Sequence, residues 1–162
     1  MSREDTLVME LKSGPVVIAL KPDLAPNHAE RIKQLTKAGF YDGVVFHRVI
    51  PGFMAQTGDP TGTGSGGSDL PDLKAEFSGA KHVRGTVSMA RTSNPNSANS
   101  QFFICFEDAP WLDRQYTVWG QVVQGMEHID AIKMGEEHNN GAISGAPDKI
   151  LRMRFANEDG KA

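Results

Sequence analysis

The run Phe46 to Asp59, FHRVIPGFMAQTGD, constrains the fold more than any other stretch, because a turn dipeptide sits in the middle of it. Pro51 has a fixed φ and no N–H, and Gly52 accepts positive φ, so the two flanks are set to fold back on each other. Val44 to Ile50 is β-branched and aromatic enough for a strand, and Phe53 to Thr57 reads as its returning partner. Side chains alternate faces along a strand, so Arg48 points away from His47 and Val49, while Met54 and Gln56 share a face. A neutral amide then lies near a guanidinium above an apolar floor. The run alone is equally consistent with a site and with a hairpin whose arginine is simply solvated.

The rest of the chain repeats this punctuation. Thr6 to Lys12 and Val16 to Leu20 flank Ser13-Gly14-Pro15 and predict an opening hairpin. Pro26 stands at a first helical position, and Ala29, Ile32, Leu35 and Ala38 recur near helical spacing until Gly39, which predicts an amphipathic helix. Its N-cap, Ala25, offers no side-chain acceptor, a weakness of about 1 kcal/mol relative to Ser or Asp. Asp59 to Asp72, DPTGTGSGGSDLPD, has no apolar period and predicts a surface loop that lines a groove. A phosphate cradle is disfavoured there, because no Lys-Ser/Thr pair follows the glycines. Gly85 to Ala90, Ser100 to Phe106, Tyr116 to Gln124 and Lys149 to Phe155 predict further strands. In Ser100 to Phe106, alternation puts Gln101 and Phe103 on one face, with Phe102 and Ile104 on the other, so one face joins a polar site and the other a core. The Trp111-Leu112 pair, in a loop, reads either as a contact surface or as a satellite cluster over a barrel end. Met126 to Met134, between Gly125 and Gly135, predicts a second short helix. Seven or eight short strands with two helices imply an all-β barrel or sandwich with capping helices.

Composition removes several classes of function. A length of 162 residues suits one domain, and 17 Lys and Arg against 20 Asp and Glu give a net charge of −3 with no basic run. Nucleic acid and anionic membrane are therefore not expected partners. The polar start and the lack of an apolar stretch approaching about 20 residues indicate neither export nor a membrane span, which makes the cytoplasm the expected location. The single cysteine, Cys105, falls in an apolar run and is expected to be a buried structural thiol. The histidines, His28, His47, His82, His128 and His138, stand singly without ligand spacing, so neither a metal nor another cofactor is expected. No nucleophile-elbow pattern accompanies the serines. What remains is a guanidinium, two amides and apolar walls, a set suited to binding a peptide with one apolar residue pocketed and its carbonyls hydrogen-bonded.

FHRVIPGFMAQTGD, the loop GTGSGG, SMAR at Ser88 to Arg91, SQFFI at Ser100 to Ile104 and WLD at Trp111 to Asp113, in this order and spacing, resemble a cyclophilin-type peptidyl-prolyl isomerase. The resemblance implies a closed, eight-stranded antiparallel β-barrel capped by two α-helices. The isomerase domain is expected to span residues 1–156; the resemblance does not cover the tail at 157–162, which is expected to fray as chain ends do. The resemblance also implies that Arg48 is the catalytic arginine, assisted by Gln56, and that Phe53, Met54, Phe103 and Leu112 are walls of a proline pocket. Gln56 and Gln101 resemble amides that orient Arg48 and the substrate backbone, and Ala90, Arg91 and Thr92 match the strip whose main chain pairs with the peptide. Arg91 stands where many members have Asn, and its side chain is expected to alter preference for flanking residues. Trp111 matches a tryptophan associated with cyclosporin binding, and Tyr116 stands at the pocket rim where many eukaryotic members have His. The implied activity is rotation about X–Pro imide bonds in peptides and folding proteins, by a monomer, with no covalent intermediate and cyclosporin as a candidate ligand. A proline-peptide binding or chaperone module with incidental isomerisation is the alternative. Clients, pathway and flanking-residue preference are not legible in the sequence.

Overall fold

Two hairpins lay down the sheet. β1 (Thr6–Leu11) and β2 (Gly14–Leu20) pair antiparallel around the expected turn, and β3 (Arg48–Ile50) pairs with β4 (Met54–Thr57) across Pro51-Gly52, where Gly52 has φ 72°. β5 (Thr86–Met89), β6 (Phe102–Cys105), β7 (Val118–Gln124) and β8 (Arg152–Phe155) complete an eight-stranded antiparallel sheet in the order β3-β4-β6-β5-β7-β2-β1-β8. The computed structural model describes residues 5–156; the tail at 157–162 lies outside them.

The closed barrel expected above is not what forms. The sheet is a curled, open half-barrel, because among the described residues its edge strands β3 and β8 share no ladder. The physical reason lies in Val44 to His47, which the sequence placed in one strand with Arg48. That stretch leaves the β3–β4 ladder and crosses the seam instead: Phe46 N–H donates to Asp148 O at 2.8 Å and Ile150 N–H to Val44 O at 2.9 Å. The isolated bridge Val45–Lys149 accompanies these bonds across the gap.

Helix α1 (Pro26–Lys37) buries Ala29, Ile32 and Leu35 and packs toward β7 and β8. Its N-terminus lacks a local side-chain cap, as Ala25 predicts, but is capped from afar. Glu76 accepts from the main-chain N–H of Asn27 at 3.2 Å and of His28 at 2.9 Å, and lies 2.6 Å from His28 Nδ1. A carboxylate there also complements the positive end of the helix. Helix α2 (Met126–Asp130) stops earlier than its apolar spacing predicts, because Lys133 N–H turns to Asp148 Oδ2 at 2.7 Å. Ile129 and Ile132 are nevertheless buried.

The main core fills the concave side of the sheet. Leu7, Met9, Val16, Ile18, Val49, Ala55, Val87, Met89, Phe102, Ile104 and Trp119 belong to it, with Phe102 edge-on to both Tyr41 and Trp119. A second apolar cluster, Met54, Phe103, Cys105, Ala109 and Leu112, forms on the other face of β4 and β6. Cys105 is buried there, and burial pushes its thiol up to about 12.

Candidate active site

Strand register assembles the site. Arg48 on β3 lies opposite Gln56 on β4, Gln56 opposite Phe103 on β6, and Phe103 opposite Ser88 on β5. Directly paired residues point to one face, so this row carries a guanidinium, an amide and an aromatic ring side by side. The neighbouring row, Ile50–Met54–Cys105, supplies apolar floor.

A chain of hydrogen bonds fixes the polar members. Arg48 Nη1 donates to Gln56 Oε1 at 3.0 Å, Gln56 Nε2 to Gln101 Oε1 at 2.9 Å, and Gln101 Nε2 to the carbonyls of Gly64 at 3.0 Å and Gly66 at 2.9 Å. On its other side Arg48 donates from Nε to Asn140 O at 3.1 Å and from Nη2 to Asn140 Oδ1 at 2.9 Å. Burial pushes the Arg48 pKa down and Tyr116 opposes the shift, but a guanidinium starts high enough to remain charged.

A hollow of about 160 Å³ opens beside the guanidinium, lined by Arg48, Phe53, Met54, Gln56, Ala90, Arg91, Phe103 and Tyr116. Phe103 meets Tyr116 edge-on at 5.6 Å, and the Arg91 guanidinium sits 4.6 Å from the Tyr116 ring centre. Arg91 also donates to Gln115 O from Nε at 3.0 Å and Nη2 at 2.8 Å, and to Thr92 O at 2.9 Å. Its side chain thus ties two walls of the hollow together, where the sequence suggested an outward role toward flanking residues. A larger groove of about 540 Å³ continues from the hollow, lined by Gly64 to Ser68, Ala90, Arg91, Thr92 and Gln101. The glycine-rich loop lines it as the sequence predicts.

That loop is anchored by Asp59, fully buried, which accepts from the N–H of Thr61, Thr63 and Gly64. Burial pushes the Asp59 pKa up, but the hydrogen bonds led by Thr61 outweigh it and hold the carboxyl well below its usual range. Gly58, at φ 96°, lets this segment lie directly against the Ser100 and Gln101 backbone, where no Cβ fits.

Two expected residues sit differently from the rest. Leu112 is buried in the cluster behind the hollow rather than on its surface, and Trp111 is 64% exposed at the rim, 5.6 Å from Phe53. His47, expected opposite Arg48, precedes the strand and shares a groove wall with Arg48, Asn139 and Asn140. Its burial pushes its pKa down.

Sequence reasoning missed Asn140 and a chain behind Phe103. Asn140-Gly141 is a turn signal, but nothing local links it to Arg48. His82 stacks on Phe103, with Nδ1 3.1 Å from Asp113 and Nε2 3.0 Å from Ser88 Oγ. These are the residue types of a hydrolytic triad, but Ser88 and His82 are 0% and 1% exposed, so no substrate carbonyl can reach the hydroxyl. The chain supports the pocket floor. Among the described residues no cluster of His, Cys, Asp or Glu could hold a metal ion, and no helix is long and apolar enough to cross a membrane.

A hollow the size of a small ring, floored by Phe53, Met54 and Phe103 and edged by a guanidinium and the strip at Ala90 to Thr92, has the architecture of a peptide-binding groove. The family described as cyclophilin type peptidyl-prolyl cis-trans isomerase/CLD matches residues 6–155. A probable peptidyl-prolyl cis-trans isomerase of Brucella suis is 56% identical over 160 residues, covering 92% of this chain and 81% of the relative. A peptidyl-prolyl cis-trans isomerase-like 1 of Aspergillus fumigatus is 40% identical over 157 residues, covering 94% and 96%. The crystal structure of a cyclophilin from Hirschia baltica superposes with TM-score 0.86 at 27% identity, covering 98% of this chain and 76% of that one. A cyclophilin-type isomerase of Cryptosporidium parvum, solved in the presence of the dipeptide Ala-Pro, superposes with TM-score 0.84 at 27% identity, covering 93% and 98%. The chain belongs to the cyclophilin-type peptidyl-prolyl cis-trans isomerases and is an isomerase.

Proposed function

We propose that the protein accelerates rotation about X–Pro bonds in peptides and folding proteins through a hydrogen bond from Arg48 to the proline nitrogen, without a covalent intermediate. The observation that carries the reading is a charged guanidinium at the edge of a hollow walled by Phe53, Met54 and Phe103, with donors to spare. A guanidinium has five N–H groups; three are engaged by Gln56 and Asn140, leaving one on Nη1 and one on Nη2. The hollow of about 160 Å³ suits a pyrrolidine ring, since a cavity of about 150 Å³ admits benzene.

The chemistry follows from the imide bond. Its partial double-bond character makes rotation slow, with a barrier of about 20 kcal/mol and a timescale of tens of seconds. In the twisted transition state conjugation is lost and the proline nitrogen regains a basic lone pair. A donor beside it makes a bond that hardly exists in the planar ground state, which is differential transition-state stabilisation. Raising the rate from roughly 10⁻² to about 10³ per second takes about 7 kcal/mol, and one charge-assisted hydrogen bond supplies about 1.5–3 kcal/mol. The remainder is assigned to a desolvating pocket that anchors the ring while the preceding carbonyl swings. Main-chain groups of the strip at Ala90 to Thr92 pair with the peptide; Ala90 and Thr92 donate their N–H groups internally, and the Arg91 N–H has no partner among the described residues. The Ala-Pro dipeptide of the Cryptosporidium parvum relative supports this substrate class. The reading further assigns Trp111 to cyclosporin binding and places the protein as a cytoplasmic monomer.

Arg48→Ala tests the reading in a protease-coupled assay on an Ala-Pro peptide. We expect wild-type folding and a loss of at least about tenfold in kcat/KM, the equivalent of about 1.4 kcal/mol. A variant with unchanged kcat/KM would leave the protein a proline-binding module whose isomerisation is incidental.

A further inference from the structure

We infer that Asn140 is a positioning residue for Arg48, and that its uncharged amide aims the guanidinium without setting a countercharge beside it. The inference rests on the catalytic reading of Arg48 above. Asn140 stands at φ 55°, a left-handed conformation that Asn tolerates better than most residues, and Gly141 follows at φ 81°. This backbone presents both the Asn140 carbonyl and its Oδ1 to one guanidinium, at Nε and Nη2, while Gln56 holds Nη1 from the opposite side. Two contacts from one residue fix the plane of the guanidinium, which the single bond from Gln56 cannot do.

The segment carrying Asn140 is itself locked to the open edge of the sheet. Val49 N–H donates to Gly141 O at 2.9 Å, Gly135 N–H donates to Val49 O at 2.8 Å, and Arg48 and Ala142 form a bridge. Within the loop, Gly141 N–H donates to Glu136 O at 2.8 Å and Ala142 N–H to Asn139 O at 3.1 Å. A Cβ on Gly141 would lie 2.7 Å from Ile50 and 3.1 Å from Arg48 Cγ, so the loop rides directly on the strand that bears the catalytic arginine. The open edge of the half-barrel is therefore occupied by a holder for Arg48.

Chemistry explains why the holder is an amide. A carboxylate at this position would make the same hydrogen bonds, but as an ion pair, and would draw down the positive field that Arg48 offers to the developing lone pair. A merely structural role would accept either side chain. The test uses two variants of the full chain. Asn140→Gly keeps the left-handed backbone and the main-chain acceptor while removing Oδ1, and Asn140→Asp keeps the shape while adding charge. Both are expected to fold with unchanged thermal midpoints and to lower kcat by about threefold to tenfold, the usual worth of one hydrogen bond, with KM within about twofold. In an Arg48→Ala background, Asn140→Gly is expected to have no further effect, since residues acting through one another are not additive. A full-activity Asn140→Asp, a change confined to KM, or an undiminished effect of Asn140→Gly without Arg48 would overturn the positioning role. If Arg48→Ala alone leaves activity intact, the catalytic reading fails and this inference with it; if Arg48→Ala is impaired while Asn140→Gly is not, only this inference fails.

Discussion

The four strands β3, β4, β6 and β5 present two faces made by different physics. On the concave face Val49, Ala55, Phe102, Ile104, Val87 and Met89 all enter the main core, and none offers a polar side-chain atom beyond a thioether. On the convex face the same strands carry Arg48, Gln56, Phe103 and Ser88 in one row and Ile50, Met54 and Cys105 in the next. The concave face is held by burial, which is non-directional and tolerates exchange of side chains of similar volume. The convex face is held by directed bonds running from Asn140 through Arg48, Gln56 and Gln101 to the Gly64 and Gly66 carbonyls, where a small displacement loses the geometry. Neighbouring residues such as Phe102 and Phe103 thus belong to different problems, one of stability and one of function.

The largest expected effect tests that separation. Phe102→Ala removes a fully buried ring packed on Tyr41 and Trp119 and should cost about 3–5 kcal/mol in urea denaturation. The molecules still folded should keep kcat/KM within about twofold. A tenfold loss in the folded fraction would mean that the two faces cannot be treated separately.

The tryptophans offer a spectroscopic version of the comparison. Trp119 is fully buried in the core, whereas Trp111 is exposed beside Phe53 at the rim. Cyclosporin should change the emission of Trp119→Phe, in which Trp111 remains, and leave that of Trp111→Phe nearly constant. The reverse pattern would place the ligand elsewhere or transmit its binding into the core.

The smallest expected effect is on the pH dependence of activity. Arg48 remains charged and the amides do not titrate, so kcat/KM for a neutral peptide should vary by less than about threefold between pH 6 and 8. Burial pushes the pKa of His47 below its usual value, so the ring is neutral through most of that range. Stability should behave differently. Burial also pushes His28 and His82 down, so as pH falls toward and below about 6.5 the unfolded chain takes up protons that the folded chain refuses, and stability declines. A bell-shaped activity profile flattened by His47→Gln would reveal acid–base chemistry absent from the proposed mechanism.

Local order was legible in the sequence where it depends on a short period or a turn. Alternation alone separated Phe103 from Phe102 and set Gln56 beside Met54, and Pro51-Gly52 dictated the return that puts Arg48 opposite Gln56. The motif order marked the family and the residues that line the hollow. Tertiary structure decided everything that depends on which distant segments meet. Whether the sheet closes turned on Val44 to His47 finding Asp148 to Ile150 instead of extending β3, and the uncapped start of α1 was rescued by Glu76 from a loop with no periodic signal. Arg48 meets Asn140 across 92 positions, and His82 meets Asp113 across 31. Side-chain alternation is a property of the backbone at each residue, whereas these contacts exist only once the sheet has curled and its loops have been laid along its edges.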